Sequence, residues 1–480
     1  MTFEKNYLAV ALVAASLVGC GGDSNNSSSD TTNPSPSYSF LDCNTAGDEC
    51  YVTGTINEDF TMSADVKYIL EGLVRVGRGN IAFTAPSDVT AAQNDGVTLT
   101  IEAGSDVRAE NSGILVVTRG SKLMAEGTAA APITFSSVDE GLDGMAEWGG
   151  VIVQGFAPQY GQGNTGACFA EGPDDTAVYT ETAVCNVTGE GGDGVGKYGG
   201  NIPGDNSGVI KYVRIAEAGK SVGVDNEVNG LTLMGVGHGT TIDYIQVHNN
   251  LDDGIEWFGG TVNVTHAVLT GNDDDDIDFD SGYMGNVQFA IVVKNQTPGA
   301  THSGSNDPRG IEGNSDKAKS EQTPQTHAAI ANVTLIGGEI NDGQPGIKLR
   351  GQVEADLAKI VVTGFTSGCY EMKDSEETNV SVQDLICDGT LTLAKNDEPA
   401  SGTPVSSAAA ITFNAAGAAQ NAEVTDGITA DFTAVDNGSN FAFEATTYAG
   451  AVNPDGSDDW TTGWIIPGSL DALTSVSAPE

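Results

Sequence analysis

One hydrophobic pattern returns seven times in this chain at a nearly constant interval, and that interval restricts the possible folds more than any other feature. The pattern is apolar, any residue, polar or aromatic, apolar, any residue, apolar. It occupies residues 210–215, 242–247, 264–269, 287–292, 330–335, 357–362 and 382–387, in steps of 32, 22, 23, 43, 27 and 25. A second motif lies between the copies: Gly254-Ile-Glu-Trp257, Asp276-Ile-Asp-Phe279, Gly310-Ile-Glu-Gly313, Gly346-Ile-Lys-Leu349 and Gly368-Cys-Tyr-Glu371. A 22–27-residue period holding two or three short strands predicts a parallel β-solenoid. No single coil buries its inward side chains alone. Stacking coils ~4.8 Å apart aligns equivalent apolar residues into ladders, and alternation turns every second side chain outward. The steps of 32 and 43 require insertions, roughly at 220–230 and 296–327. A leucine-rich repeat would show a Leu/Asn consensus, which is absent, and a β-sandwich would not repeat its strands in register.

Composition agrees. Glycine accounts for 63 of the 480 residues, about double the usual share of ~7%. Each glycine inside a helix costs ~1 kcal/mol relative to alanine, which argues against a helical bundle. Lys+Arg total 20 against Asp+Glu 66, a formal charge of −46. Such a surface repels phosphate backbones, so nucleic acid is excluded as a partner.

The N-terminus reads as an address. Lys5 precedes an apolar stretch, Tyr7 to Val18, that is too short to span a bilayer. It ends in Leu17-Val18-Gly19-Cys20, which resembles the lipobox of bacterial lipoproteins. That resemblance implies a signal peptide over 1–19, cleavage before Cys20, acylation of Cys20 and a lipid membrane as partner. Gly21 stands where aspartate is the usual inner-membrane retention signal, so the expected destination is the outer membrane, on its surface or periplasmic face. Residues 20–37 have almost nothing to bury and read as a flexible tether. The remaining cysteines fall as three sequence-close pairs: Cys43 with Cys50, Cys168 with Cys185, and Cys369 with Cys387. Three local disulfides are the simplest of fifteen connectivities in an oxidising compartment. For Cys369 and Cys387, both at apolar strand positions, two reduced core thiols are the alternative.

Upstream and downstream blocks carry a family resemblance. TLTIEAGSDV (98–107), LVVTRGSKLMAEGTAAAPITF (115–135), EWGGVIVQG (147–155), DNSGVIKYVRIAEAG (205–219), the stretch 229–293 and AGAVNPDGSDDWTTGW (449–464) resemble secreted or lipid-anchored surface proteins of Gram-negative bacteria. Those proteins are right-handed parallel β-helices, distantly similar to pectate-lyase solenoids. The expected fold is therefore all-β: a single-stranded right-handed parallel β-helix with loop insertions and end caps. An N-terminal cap is expected over 38–96, the β-helix over 97–387, and final coils with a C-terminal cap over 388–480. Trp460 and Trp464 are expected to seal the open end of the last coil.

The chemistry concentrates in one acidic ladder. Asp252, Asp253 and Glu256 precede Asp274, Asp275 and Asp278 by 22 residues, one coil, so each should stand over its counterpart. Asp276 and Asp280 belong to the same run, and Glu312 extends it one coil further. Like charges ~5 Å apart repel unless a cation bridges them or some are protonated. A hard divalent ion such as calcium, which takes six to eight oxygens, is the natural counter-charge. The competing reading is a solvated acidic rim. For catalysis, solenoid lyases and polygalacturonase-like hydrolases offer comparisons through Gly237-His238-Gly239, Asp252-Asp253 and Lys348-Leu-Arg350. Here the histidine motif precedes the aspartate pair, whereas the hydrolases place it after, and the basic pair reads Lys-x-Arg. His238, Lys348 and Arg350 are thus weak candidates. Two functions stay open: a binding or interaction scaffold with calcium sites, meeting a polysaccharide or an outer-membrane protein, or a calcium-dependent enzyme acting on acidic polysaccharide.

Overall fold

Each repeat read from the sequence becomes one winding of a right-handed parallel β-helix. The computed structural model describes residues 38–139, 141–160, 170–171, 177–178, 184–223, 226–297, 308–315, 324–338, 343–373, 380–387, 401–406, 432–457 and 459–471. The expected signal segment, the expected tether with Cys20, and Cys168 lie outside the described residues, as do parts of the expected insertions and of the 388–480 segment. The compact unit from Ser39 onward contains a sheet of 24 strands whose pairings are parallel except for one N-terminal hairpin. No helix among the described residues is long and apolar enough to cross a membrane.

A winding has three strand segments, and each stacks in its own column. In the first column Ile242 pairs with Val264, then Val287, Ile330, Leu357 and Val382. In the second, Val247 is followed by Leu269, Val292, Leu335, Val362 and Cys387. In the third, Ile255 is followed by Ile277, Ile311, Ile347 and Tyr370. All of these point inward and are buried, forming the ladders that hold the coils together.

The third position of the sequence pattern is where the first column bends into the second. Tyr212, Tyr244, His266, Phe289, Asn332, Lys359 and Asp384 all have positive φ, between 49° and 62°. The left-handed conformation takes each of them out of the ladder, as in a β-bulge, and turns its side chain onto the outer flank. This explains why the position accepts polar and aromatic residues. Four of the side chains stack: Tyr212 on Tyr244 at 4.3 Å, Tyr244 on His266 at 4.3 Å, and His266 on Phe289 at 5.1 Å.

Both ends differ from expectation. Parallel stacking already begins with Glu49–Ile56 on Lys67–Val76, so the boundary read at residue 97 marks where the repeat becomes visible, not where winding starts. A register shift between Thr53 and Thr55 disguises these early coils. The hairpin Leu41–Cys43 with Glu49–Ile56, closed by the Cys43–Cys50 disulfide, covers the first edge. A short helix, Pro86–Asn94, departs from a purely β reading. The Asp88 carboxylate fixes its start by accepting the amides of Thr84 and Ala85. At the other end, residues 432–471 do not simply continue the winding: their described part doubles back along the flank. Val435 bonds Asn286, Glu444 bonds Gln288, Ala451 bonds Thr334 and Ile466 bonds Gln246. Trp460 and Trp464 therefore do not seal the last coil. They pack edge-on against Tyr244, His266 and Tyr212, where the aromatic stack presents an apolar surface that needs cover. Cys369 and Cys387 form a disulfide, and Cys185 is also disulfide-bonded.

Candidate cation site

The turn leading into the third column is built from asparagines and aspartates that bond from rung to rung. Asn272 accepts the amide of Asn250 at 3.0 Å, and Asn250 donates back to the carbonyl of Asp253 at 2.8 Å. Beside them runs a column in which each side chain accepts the amide of the next winding. Asn229 Oδ1 takes Asp253 N at 3.2 Å, Asp253 Oδ1 takes Asp275 N at 3.0 Å, and Asp275 Oδ1 takes Arg309 N at 2.6 Å. Asp253 and Asp275 are thus vertical neighbours. On the outward face of the strands, Thr232 pairs with Glu256, Glu256 with Asp278, Asp278 with Glu312 and Glu312 with Lys348. Phe258 stands opposite Asp280, and Asn314 opposite Arg350.

Removing these carboxylates from water makes their charged forms costly, and their mutual repulsion adds to the cost. Burial first, then Glu227 and Asp275, push Asp252 up to about 7. Burial and surrounding carboxylates lift Asp253, Glu256 and Asp278 well above the usual range. Glu312 rises to about 7 through burial and Asp275, although Arg309, Arg350 and Lys348 oppose the shift. Asp280 rises to about 6, chiefly through burial. Two sets of oxygens converge: Asp252, Asp253 and Asp274 within 4.8 Å of one another, and Asp253, Glu256 and Asp278 likewise. That spread fits oxygens placed around a single ion at ~2.3–2.6 Å, the reach of calcium. Asp278 Oδ1 and Asp280 Oδ1 have no hydrogen-bond partner among the described residues.

A family model described as a pectate-lyase like beta helix domain matches residues 54–465. The chain belongs to that family. No curated protein and no solved structure gave a significant match.

This pectate-lyase-like β-helix does not bring every expected residue to the cluster. Asp276 is committed elsewhere: its carboxylate holds the fully buried Lys294 ammonium at 2.7 Å and accepts Asn272 Nδ2 at 2.9 Å. Lys294 also donates to the carbonyls of Asn272 and Asp274, so an ammonium already serves as the cation inside that turn. Strand alternation fails at the turn, and the numbering therefore misplaced Asp276 among the ion ligands. Asp275 faces the cluster but is tied to Arg309, which reaches it at 3.0 Å and Glu312 at 2.6 Å. Arg350 pairs with the other oxygen of Glu312. His238 lies in a turn, its amide bonded to Pro203 O and Thr261 Oγ1, and among the described residues no hydrogen bond or ion pair joins it to the carboxylates. Among the groups at the site that escaped the sequence reading are Glu190, Tyr198 and Glu227. Glu190 and Tyr198 belong to an insertion whose irregular spacing assigns them to no column. The glycines around Glu190 are the one signal that could have drawn attention to it.

Proposed function

We propose that this β-helix is a binding scaffold whose acidic face takes up a hard divalent cation, calcium foremost. The observation that carries the reading is the convergence of Asp253, Glu256 and Asp278 from two adjacent windings, with Asp278 Oδ1 unpartnered among the described residues. Asp252 and Asp274 form a second group that shares Asp253. A cation that binds only the native state must stabilise it. Thermal melting with excess chelator and then with excess calcium tests this: a rise in Tm is expected, and an unchanged Tm would leave a cluster of buried carboxyls held partly protonated without an ion.

The scaffold reading extends to location. The lipobox-like Leu17-Val-Gly-Cys20, Gly21 and the polar tether support attachment to the outer membrane through acylated Cys20. In a bacterial host, Cys20→Ala should lose incorporation of labelled palmitate and pass into the soluble fraction. Retention of both properties would sink this part. A polysaccharide or an outer-membrane protein is the partner class proposed for the exposed face.

A second reading, a calcium-dependent carbohydrate-active enzyme, draws on the basic residues beside the carboxylates. Arg309, Lys348 and Arg350 all act on Glu312 at the upper edge of the cluster. Incubation with polygalacturonate or alginate, with and without calcium, would reveal unsaturated products by absorbance.

A further inference from the structure

The outward face of the third column changes character along the stack. Val116 and Ile152 lie in register with Thr232, and above Thr232 come Glu256 and Asp278. The apolar part is covered by an insertion, residues 184–200, through Val187, Val195 and Tyr198. Val187–Thr188 and Lys197–Tyr198 pair as a short antiparallel hairpin that carries Glu190 near its tip. Gly191 has φ 96°, and a Cβ there would come within 2.9 Å of Ile152, so glycine lets the backbone lie flat on the column.

That placement brings Glu190 onto the acidic part of the same face. Its carboxyl hydrogen-bonds Glu256 and lies near Asp252 and Asp280. Tyr198, only 2% exposed, faces Asp280, Glu256 and Glu190. One rung before Glu256, on the same outward face, Thr232 Oγ1 is buried with no hydrogen-bond partner among the described residues; the residue is 1% exposed. Glu256 Oε2 accepts Asn229 Nδ2, and beside it the uncapped Thr232 hydroxyl and the Glu190 carboxyl add oxygens to the same face.

We propose that the 184–200 insertion is the closing wall of the cation site, with Glu190 as a ligand, so that taking up the ion fastens the insertion onto the third column. This rests on the cation reading above and adds a residue and a coupling to it. A cation between Glu190 and Glu256 would replace the hydrogen bond between the two carboxyls by shared coordination, with Asp252 and Asp280 close to Glu190 and Asp253 and Asp278 grouped with Glu256. The insertion would then report on the ion: docked when it is bound, lifted when it is removed.

The test uses the full chain, hydrogen exchange over 184–200 in chelator and in calcium, and calcium affinity by titration calorimetry. Wild type should gain protection across the insertion on calcium binding. Glu190→Gln should weaken calcium affinity by about tenfold or more, since affinity at such sites follows ligand charge, and should lose that protection. Asp193→Asn, an exposed change in the same loop, should leave both unaltered and controls for a folding defect. If wild type binds calcium and Asp278→Asn weakens it, while Glu190→Gln matches wild type and protection does not change, the closing wall is refuted and the cation reading survives. If wild type binds no calcium, the cation reading falls and takes this inference with it.

Discussion

Asp275 and Asp278 sit three residues apart yet differ in what their removal should do. Asp275 caps the amide of Arg309 and pairs with its guanidinium, both buried. Its loss leaves a buried charge short of a partner, a defect that typically costs ~3–5 kcal/mol. Asp275→Ala should therefore destabilise the protein by about that much in chelator and calcium alike. Asp278 is held among carboxylates, with Oδ1 unpartnered among the described residues. Asp278→Asn should be neutral or mildly stabilising in chelator and should diminish the gain from calcium; denaturant titration in both buffers separates the two cases. The pH dependence has a definite sign. Asp252 and Glu312 titrate at about 7 when folded, above the ~4 of an unfolded chain. The native state thus holds protons that the unfolded chain has released, and the stability these groups contribute is complete below pH ~4 and lost as pH rises through 7. In chelator the Tm should fall between pH 5 and 8, and calcium should restore most of it at the upper end. The stacking of Asp253 with Asp275 and Glu256 with Asp278 was legible in the sequence, because a lag of one coil length becomes vertical adjacency. The fate of Asp276 was not, since which way a turn residue points depends on Lys294, eighteen positions downstream and just past the end of the next strand.

At the scale of elements, the periodic strands were readable and the aperiodic ones were not. The inward residues at 242, 264, 287 and 330 announce themselves because each must be apolar to line the same ladder. The left-handed bend falls on the polar-or-aromatic third position of the repeated pattern, but neither the bend nor its conformation was legible there. The returning segment 432–471 gives no such signal. It bonds through side-chain amides and hydroxyls, Asn286, Gln288, Asn332 and Gln246, on coils remote in sequence. Trp464, fully buried on Tyr212 and Tyr244, is its main apolar anchor. Trp464→Ala should cost ~3–5 kcal/mol, the usual range for a large buried aromatic, as measured by denaturant unfolding. The Cys369–Cys387 bridge fixes the start of a third-column strand to the end of the next coil's second column. Closing a loop of this size corresponds to ~3 kcal/mol; Cys369→Ser with Cys387→Ser should lower stability by a comparable amount.

Across the molecule the formal charge of −46 is concentrated unevenly. The third column passes from Glu256, Asp278 and Glu312 to Lys348, with Arg350 and Lys373 stacked alongside, so one face carries both signs within a few windings. The returning segment matters most at this scale. Coils that touch only their neighbours behave as a one-dimensional chain of units, each free to melt from an end without consulting the rest. A belt buckled at Arg214, Gln246, Asn286 and Asn332 adds contacts that skip over intervening rungs. Calorimetry should show one sharp transition for the full chain and a broadened or split one when the chain is cut after residue 431. Fraying, the natural failure of any stack, is thereby made a collective event.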